Sequence, residues 1–152
     1  MTKFDSYNFK IITPENLSIL LEATERIINL WEAFNSESIT AMQLAKRIVQ
    51  SNSILLIADD LTLSRAGFAI FTPINTPIDN RQRIELYALY VQPAMRKFGI
   101  GRKMMKVIEE YGSSIGCGGI HVSAARKYFF EKSGFIKYKG EGRYFKGLPF
   151  IA

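Results

Sequence analysis

The residues most able to do chemistry stand together in Arg96-Lys97-Phe98-Gly99-Ile100-Gly101-Arg102-Lys103. Gly99 and Gly101 carry no side chain, which suits a backbone that must approach a ligand closely. A helix beginning here leaves the amides around Phe98 to Arg102 without intrahelical acceptors. Such amides, at the positive end of a helix dipole, attract an anion such as pyrophosphate. Arg96, Lys97, Arg102 and Lys103 ring the same place with positive charge. The stretch reads as an anion cradle. A strand-to-helix turn that simply needs two glycines is the plainer alternative.

Familiar phosphate loops do not fit it. The Gly-Lys-Ser/Thr ending of a P-loop is missing. The dinucleotide fingerprint is missing too, because Gly-x-Gly lacks its third glycine and the strand before it comes late in the chain. Other reactive residues are sparse. The single cysteine, Cys117, allows no internal disulfide and no metal-ligand spacing. It falls in a glycine-rich turn, has no Cys–His neighbour in sequence and reads as inert. With one histidine, His121, no Cys/His zinc site can be assembled, and no metal is expected. His121 reads as a buried strand residue before it reads as a catalyst.

The elements that must position the cradle follow from periodicity and punctuation. Phe9 to Thr13 reads as a strand, and Thr13-Pro14 sets an N-cap with proline at the first helical position. Leu17, Leu20, Leu21, Thr24, Ile27, Ile28 and Trp31 form one face of a long helix. Thr40 with Gln43 is a capping-box pattern that opens a second helix to about Gln50. Ser53 to Ala58 is an apolar strand, Asp59-Asp60 a turn, and Arg65 to Phe71 the next strand. Pro73 and Pro77 mark an irregular connection. Arg83 to Val91 is a long strand rich in Ile, Leu, Tyr and Val, leading into the glycine loop. Met104, Val107, Ile108, Tyr111 and Ile115 then predict a helix with one buried face. Gly116 to Gly119 break it. Ile120-His121-Val122 reads as a buried strand, Ala124 to Lys132 as a helix, and Gly134-Phe135 as the start of a strand. Gly140 and Gly142 mark a turn before a last strand from Arg143 to Lys146. The order is β-α-α-β-β-β-α-β-α-β-β, a mixed α/β layout around one sheet.

Composition sets the frame. A chain of 152 residues with 47% hydrophobic and 22% charged residues suits one soluble domain, residues 1–152, with its own core. Trp31, Met104 and Met105 read as part of that core. No apolar run approaches the roughly 18 residues of a membrane span, and the first residues lack a signal-peptide pattern. A cytoplasmic protein is the expectation. The net charge of +6 is unevenly placed: residues 1–90 hold 8 Lys/Arg against 10 Asp/Glu, residues 91–152 hold 12 against 4. The C-terminal part is built to face something anionic. A nucleic-acid-binding domain is the rival from another class, weakened because the aromatics do not interleave with the basic residues.

The stretch Leu89-Tyr90-Val91-Gln92-Pro93-Ala94-Met95-Arg96-Lys97-Phe98-Gly99-Ile100-Gly101-Arg102-Lys103-Met104-Met105 closely resembles the acetyl-CoA motif of the GNAT superfamily of N-acetyltransferases. That motif is Arg/Gln-x-x-Gly-x-Gly/Ala after a strand ending in Val-x-Pro. Tyr128-Phe129-Phe130-Glu131-Lys132-Ser133-Gly134-Phe135 is similar to the family's second motif. The resemblance implies an α/β, GNAT-like acyl-CoA N-acyltransferase fold, a mixed central sheet of about six to seven strands flanked by about four helices. It implies acetyl-CoA as acyl donor and a primary amine, on a small molecule, peptide or protein, as acceptor. Leu89, Tyr90 and Val91 would offer backbone groups to pantetheine and the acetyl carbonyl, Lys97 to Arg102, with Phe98, Gly99, Ile100 and Gly101, would hold the pyrophosphate, and Arg96 would also bind the cofactor. Ser123 and Phe130 would complete the cofactor side, standing where the family often has asparagine and tyrosine. A homodimer is compatible with the family.

The same resemblance asks for a base, because an alkylammonium has a pKa near ~10 and attacks only without its proton. Glu85 is the candidate. It lies in an apolar strand, where burial raises a carboxyl pKa, and eleven residues before Arg96, similar to the spacing in GNAT histone acetyltransferases. The structural alternative is a carboxylate paired to Arg81 or Arg83. Because Phe130 takes the usual place of the general acid, the thiolate's proton would come from Tyr128, Tyr90, Tyr144 or water, or the thiolate would leave unassisted. An acetyl-CoA-binding module with little catalysis is the rival inside the fold. Lys137, Lys139 and Lys146 read as a solvated face or a basic rim for the cofactor's 3′-phosphate.

Overall fold

A computed structural model describes residues 7–60, 65–78, 81–123, 127–137 and 143–148. Along the chain run β1 (Tyr7–Ile12), α1 (Leu17–Asn35), α2 (Ala41–Gln50), β2 (Ile54–Asp60), β3 (Arg65–Ile78), β4 (Arg81–Val91), a 3₁₀ turn (Pro93–Phe98), α3 (Ile100–Ser114), β5 (Cys117–Ser123), α4 (Lys127–Lys132), β6 (Ile136–Lys137) and β7 (Arg143–Gly147). The order is the one expected from the sequence, with the 3₁₀ turn added. Seven strands form one sheet in the order β1-β2-β3-β4-β5-β7-β6. β4 and β5 are parallel, whereas β1–β2, β5–β7 and β6–β7 are antiparallel, so the sheet is mixed. Two compact units emerge, Met1–Ile70 with Ala88–Met104 and Phe71–Tyr87 with Met105–Ala152, and β3, β4 and α3 contribute to both.

The first unit is built on α1 and α2. Leu20, Ala23 and Ile27 of α1 and Leu44, Ala45 and Ile48 of α2 cluster with Leu55 and Ile57 of β2 and Phe68 and Ile70 of β3. Each such Leu or Ile taken out of water contributes about 1.5–3 kcal/mol. The α2 capping box forms as its sequence predicts, Thr40 N donating to Gln43 Oε1 at 2.9 Å and Gln43 N to Thr40 Oγ1 at 3.1 Å. The start of α1 differs from expectation. Asn16 caps it, accepting from Ile19 N at 3.3 Å, and Pro14-Glu15 form a turn ahead of the helix. Asparagine is at least as good an N-cap as threonine. Thr13 hydrogen-bonds Glu15 instead and holds that carboxyl below its ordinary pKa. Leu17, at the helix start, is exposed.

Asp59 and Asp60 form no turn but continue β2, opposite Asn8 and Tyr7 of β1. Asp59 is buried and paired with Arg26 of α1, an ion pair that ties helix to sheet. β3 runs straight through Pro73 and Pro77. It has 14 residues, and both prolines fall inside the strand in place of the irregular connection expected there.

In the second unit, Tyr111 of α3 packs edge-on against Phe71 of β3, ring centroids 5.9 Å apart. Met105 and Ile108 are buried, but α3 ends at Ser114 and leaves Ile115 exposed. Phe130 of α4 lies between Phe129 and Phe135, at 5.1 and 5.3 Å between centroids. Lys146 of β7 is no solvated lysine: it is half-buried, donates to the Ser133 carbonyl at 2.7 Å and pairs with Glu109 of α3 at 2.9 Å. Cys117, the single cysteine, is buried. Among the described residues no helix is long and apolar enough to cross a membrane, and no group of His, Cys, Asp or Glu is arranged to hold a metal ion.

Candidate active site

β4 is the element that carries both halves of the expected chemistry. Its pairing with β5 runs from Gln82 to Leu86, where Leu86 meets Val122. Tyr87 to Val91 continue the strand beyond that pairing, and Gln92 N then donates to Ala66 O of β3 at 2.7 Å. On the β5 side, Leu89, Tyr90 and Val91 therefore have no ladder partner among the described residues. The sequence reading missed what allows this approach on the other side. Gly67 of β3 is buried, and a Cβ there would collide with the Tyr90 carbonyl oxygen and crowd the Val91 Cα at 3.2 Å and the Met104 sulfur at 3.4 Å. The signal was present, since a lone glycine inside a strand often marks close backbone approach.

The glycine loop turns where the residue types demand it. After Gln92, proline opens the 3₁₀ turn, and Gly99 ends it in the left-handed region at φ 76°. An L-residue with a side chain pays about 1–2 kcal/mol there. α3 starts at the next residue, and its first backbone bond runs from Lys103 N to Gly99 O at 3.2 Å. The amides of Gly101 and Arg102 precede that bond and have no acceptor one turn back within the helix. A 15-residue helix adds the positive end of its dipole at this point. Arg102 is exposed, Lys103 half-buried. The Lys97 side chain lies outside the described residues.

Arg96 is engaged with the strand. Its Nε donates to the Val91 carbonyl at 2.9 Å, and its guanidinium sits 5.1 Å from the centroid of the Tyr90 ring. Tyr90 in turn packs on Phe68 and Phe34, which meet Trp31, so β4, β3 and α1 share one aromatic cluster.

Glu85 stands on β4 directly opposite His121 of β5. His121 Nδ1 lies 3.0 Å from Glu85 Oε1 and 3.2 Å from Oε2. Among the described residues Glu85 pairs with His121 and not with Arg83, whose Nε is buried without a hydrogen-bond partner; the Arg81 alternative lies outside the described residues. Glu85 keeps 27% of its side chain exposed against 9% for His121, so the carboxylate is the more accessible member of the pair.

The remaining candidates are scattered over the second unit. Ser123 is the exposed last residue of β5, opposite Arg143. Phe130 is buried among its aromatic neighbours. Tyr128 belongs to α4, with its side chain outside the described residues. Tyr144 of β7 is buried, and burial pushes its phenol above the ordinary range, with the Glu131 carboxylate adding to the effect.

The sequence pattern of the acetyltransferase (GNAT) domain family matches residues 12–152. No curated protein matches the chain in sequence. Among solved structures, an aminoglycoside acetyltransferase from an uncultured soil metagenomic sample, in complex with sisomicin, superposes with a TM-score of 0.70 at 18% identity, covering 91% of this chain and 93% of that one. The GNAT N-acetyltransferase YhbS of Escherichia coli, in complex with CoA, gives 0.69 at 13% identity over 95% and 82%. The ribosomal-protein-alanine N-acetyltransferase of Brucella melitensis biovar Abortus gives 0.70 at 14% over 89% and 94%. These likenesses show a shared fold, and the family match carries the assignment: the chain belongs to the GNAT family of acetyltransferases, whose acetyl donor is acetyl-CoA.

Proposed function

We propose that this chain, acting as one catalytic domain, transfers the acetyl group of acetyl-CoA to a primary amine by direct attack in a ternary complex. The observation that carries the reading is the course of β4, which among the described residues pairs with β5 as far as Leu86 and then runs on to Val91 and the αL turn at Gly99. The donor supplies an activated thioester. On this reading the amides and charges from Arg96 to Arg102 hold its pyrophosphate, and backbone groups of Leu89 to Val91 align its pantetheine arm. Arg96 must then yield the Val91 carbonyl to the ligand or bind it through a remaining guanidinium N–H. Glu85 takes the proton of the acceptor amine. The acid that protonates the departing thiolate is Tyr128, Tyr144 or water.

The acceptor class stays broad in this proposal. An aminoglycoside acetyltransferase and a ribosomal-protein-alanine N-acetyltransferase share the fold, so small-molecule amines and peptide N-termini both belong in the screen. A cytoplasmic setting belongs to the same reading. The test is calorimetric titration with acetyl-CoA, followed by thiol release across a panel of amines and peptides. Binding with amine-dependent release is expected, and absence of acetyl-CoA binding would end the proposal. The burial of Phe130 where the family has its tyrosine favours one second reading, a module that binds acetyl-CoA without turnover. Tight binding with no release across the whole panel would select it.

A further inference from the structure

We infer that His121 is a positioning residue for Glu85: it fixes the carboxylate that receives the acceptor's proton. The inference rests on the reading of Glu85 as the base and adds a second residue to it. Register brings the two together. In a parallel pair, opposed residues share a face, and a slip of one residue would send His121 to the other side of the sheet. Glu85 and His121 are such an opposed pair, 36 residues apart in sequence.

The contact has a direction. An ionised carboxylate only accepts, so Nδ1 carries the hydrogen that lies between Oε1 at 3.0 Å and Oε2 at 3.2 Å. The imidazole is buried on β5, whereas the carboxylate is partly exposed. His121 therefore acts through Glu85. When the amine proton moves to one carboxylate oxygen, the Nδ1–H bond remains on the other and keeps the rotamer from turning away. A free glutamate has three rotatable torsions, and a displacement of ~1 Å at the reacting atom costs about 100-fold in rate. Among the described residues, the other titratable or charged groups on this face of β4, β5 and β7 are Arg83 and Tyr87 of β4, two residues either side of Glu85, and Arg143 of β7, opposite Ser123. Phe145 of β7 lies opposite His121, and β3 offers no titratable residue from Phe71 to Asn75.

Because the chain has a single histidine, its imidazole gives one unambiguous nitrogen spectrum. The unliganded protein is expected to show the Nδ1–H form, and E85Q to shift that resonance. Rates are then compared for H121L, H121N, E85Q and H121L/E85Q with the amine chosen by the panel. H121L is expected to lower kcat about 10–100-fold, leave KM for acetyl-CoA unchanged and displace the acidic limb of the pH–rate profile. H121N, whose amide can donate from nearly the same place, should recover most of the loss. The double variant should be no slower than E85Q alone, as for residues that act as a unit. A folded H121L with unaltered kcat and pH limb beside a slow E85Q overturns the inference alone. An imidazole spectrum that E85Q leaves unmoved does the same. E85Q at full rate overturns the base reading and the inference together. Should H121L fail to fold, the H121N pH profile and the spectrum of the unmutated chain decide.

Discussion

At the scale of single residues the proposed chemistry rests on Glu85, and its substitution separates a base from a structural carboxylate. Glu85→Gln preserves shape, so melting temperature and acetyl-CoA affinity should hold while kcat falls about 10²–10⁴-fold. A lowered melting temperature with unaltered turnover per folded molecule would instead assign Glu85 to the sheet. Gly67 makes a different kind of claim. Its missing side chain lets the Tyr90 carbonyl and the Met104 sulfur close over β3. Gly67→Val forces the end of β4 outward and should cost about 1–3 kcal/mol, as overpacking does. Thermal melts should show a Tm loss of about 2–4 °C per kcal/mol, and titration a weaker grip on acetyl-CoA. A variant unchanged in both measurements would contradict the close approach.

Among the elements, the start of α3 and the strand β7 make opposite demands on charge. Gly101 lies in the first turn of α3, among the amides proposed to meet phosphate. Gly101→Glu places a carboxylate there and should weaken acetyl-CoA binding at least about tenfold, a change of about 1.4 kcal/mol. Calorimetry on the folded variant checks this, and equal affinity would move the phosphate site elsewhere. In β7 the effect is on stability. Burial raises the Tyr144 phenol, so the folded state holds its proton to higher pH than the unfolded chain does. The stabilisation is complete below the ordinary phenol pKa of about 10 and is lost as pH rises through the folded value. Melting temperature should therefore fall on the alkaline side, and Tyr144→Phe should flatten that fall. An identical alkaline slope in the variant would mean that Tyr144 is not the group responsible.

Over the whole molecule the charge distribution is the dominant feature, a net −2 in residues 1–90 against +8 in residues 91–152. A field of that kind draws an anionic ligand and is screened by salt. Acetyl-CoA affinity should weaken as ionic strength rises from about 0.05 to about 0.5 M, and dephospho-CoA should show a shallower dependence because it carries less charge. Parallel salt slopes for the two ligands would show that the 3′-phosphate makes no use of the basic residues. DNA binding that is salt-sensitive in a protein indifferent to acetyl-CoA would return the nucleic-acid reading.

What could be read from the chain alone was whatever neighbouring residues decide among themselves. The Thr40–Gln43 capping box closes within four residues, and the αL turn at Gly99 is set by the glycine's own freedom. The element order is local in the same way, because helix and strand periodicities repeat over a few residues. Local signals misled where a neighbour in space answered them. Asp59-Asp60 and Pro73 look like breaks, yet β1 supplies a ladder for the aspartates and β3 continues through the proline. The partners themselves come from tertiary structure. Arg26 and Asp59 are 33 residues apart, Glu85 and His121 36, and nothing in either segment names the other. Strand register makes the second pair and helix docking the first, and both are settled by burying apolar faces across the fold. Gly67 belongs with them: a glycine in a strand announces a close approach, but only the folded sheet shows that the Tyr90 carbonyl makes it.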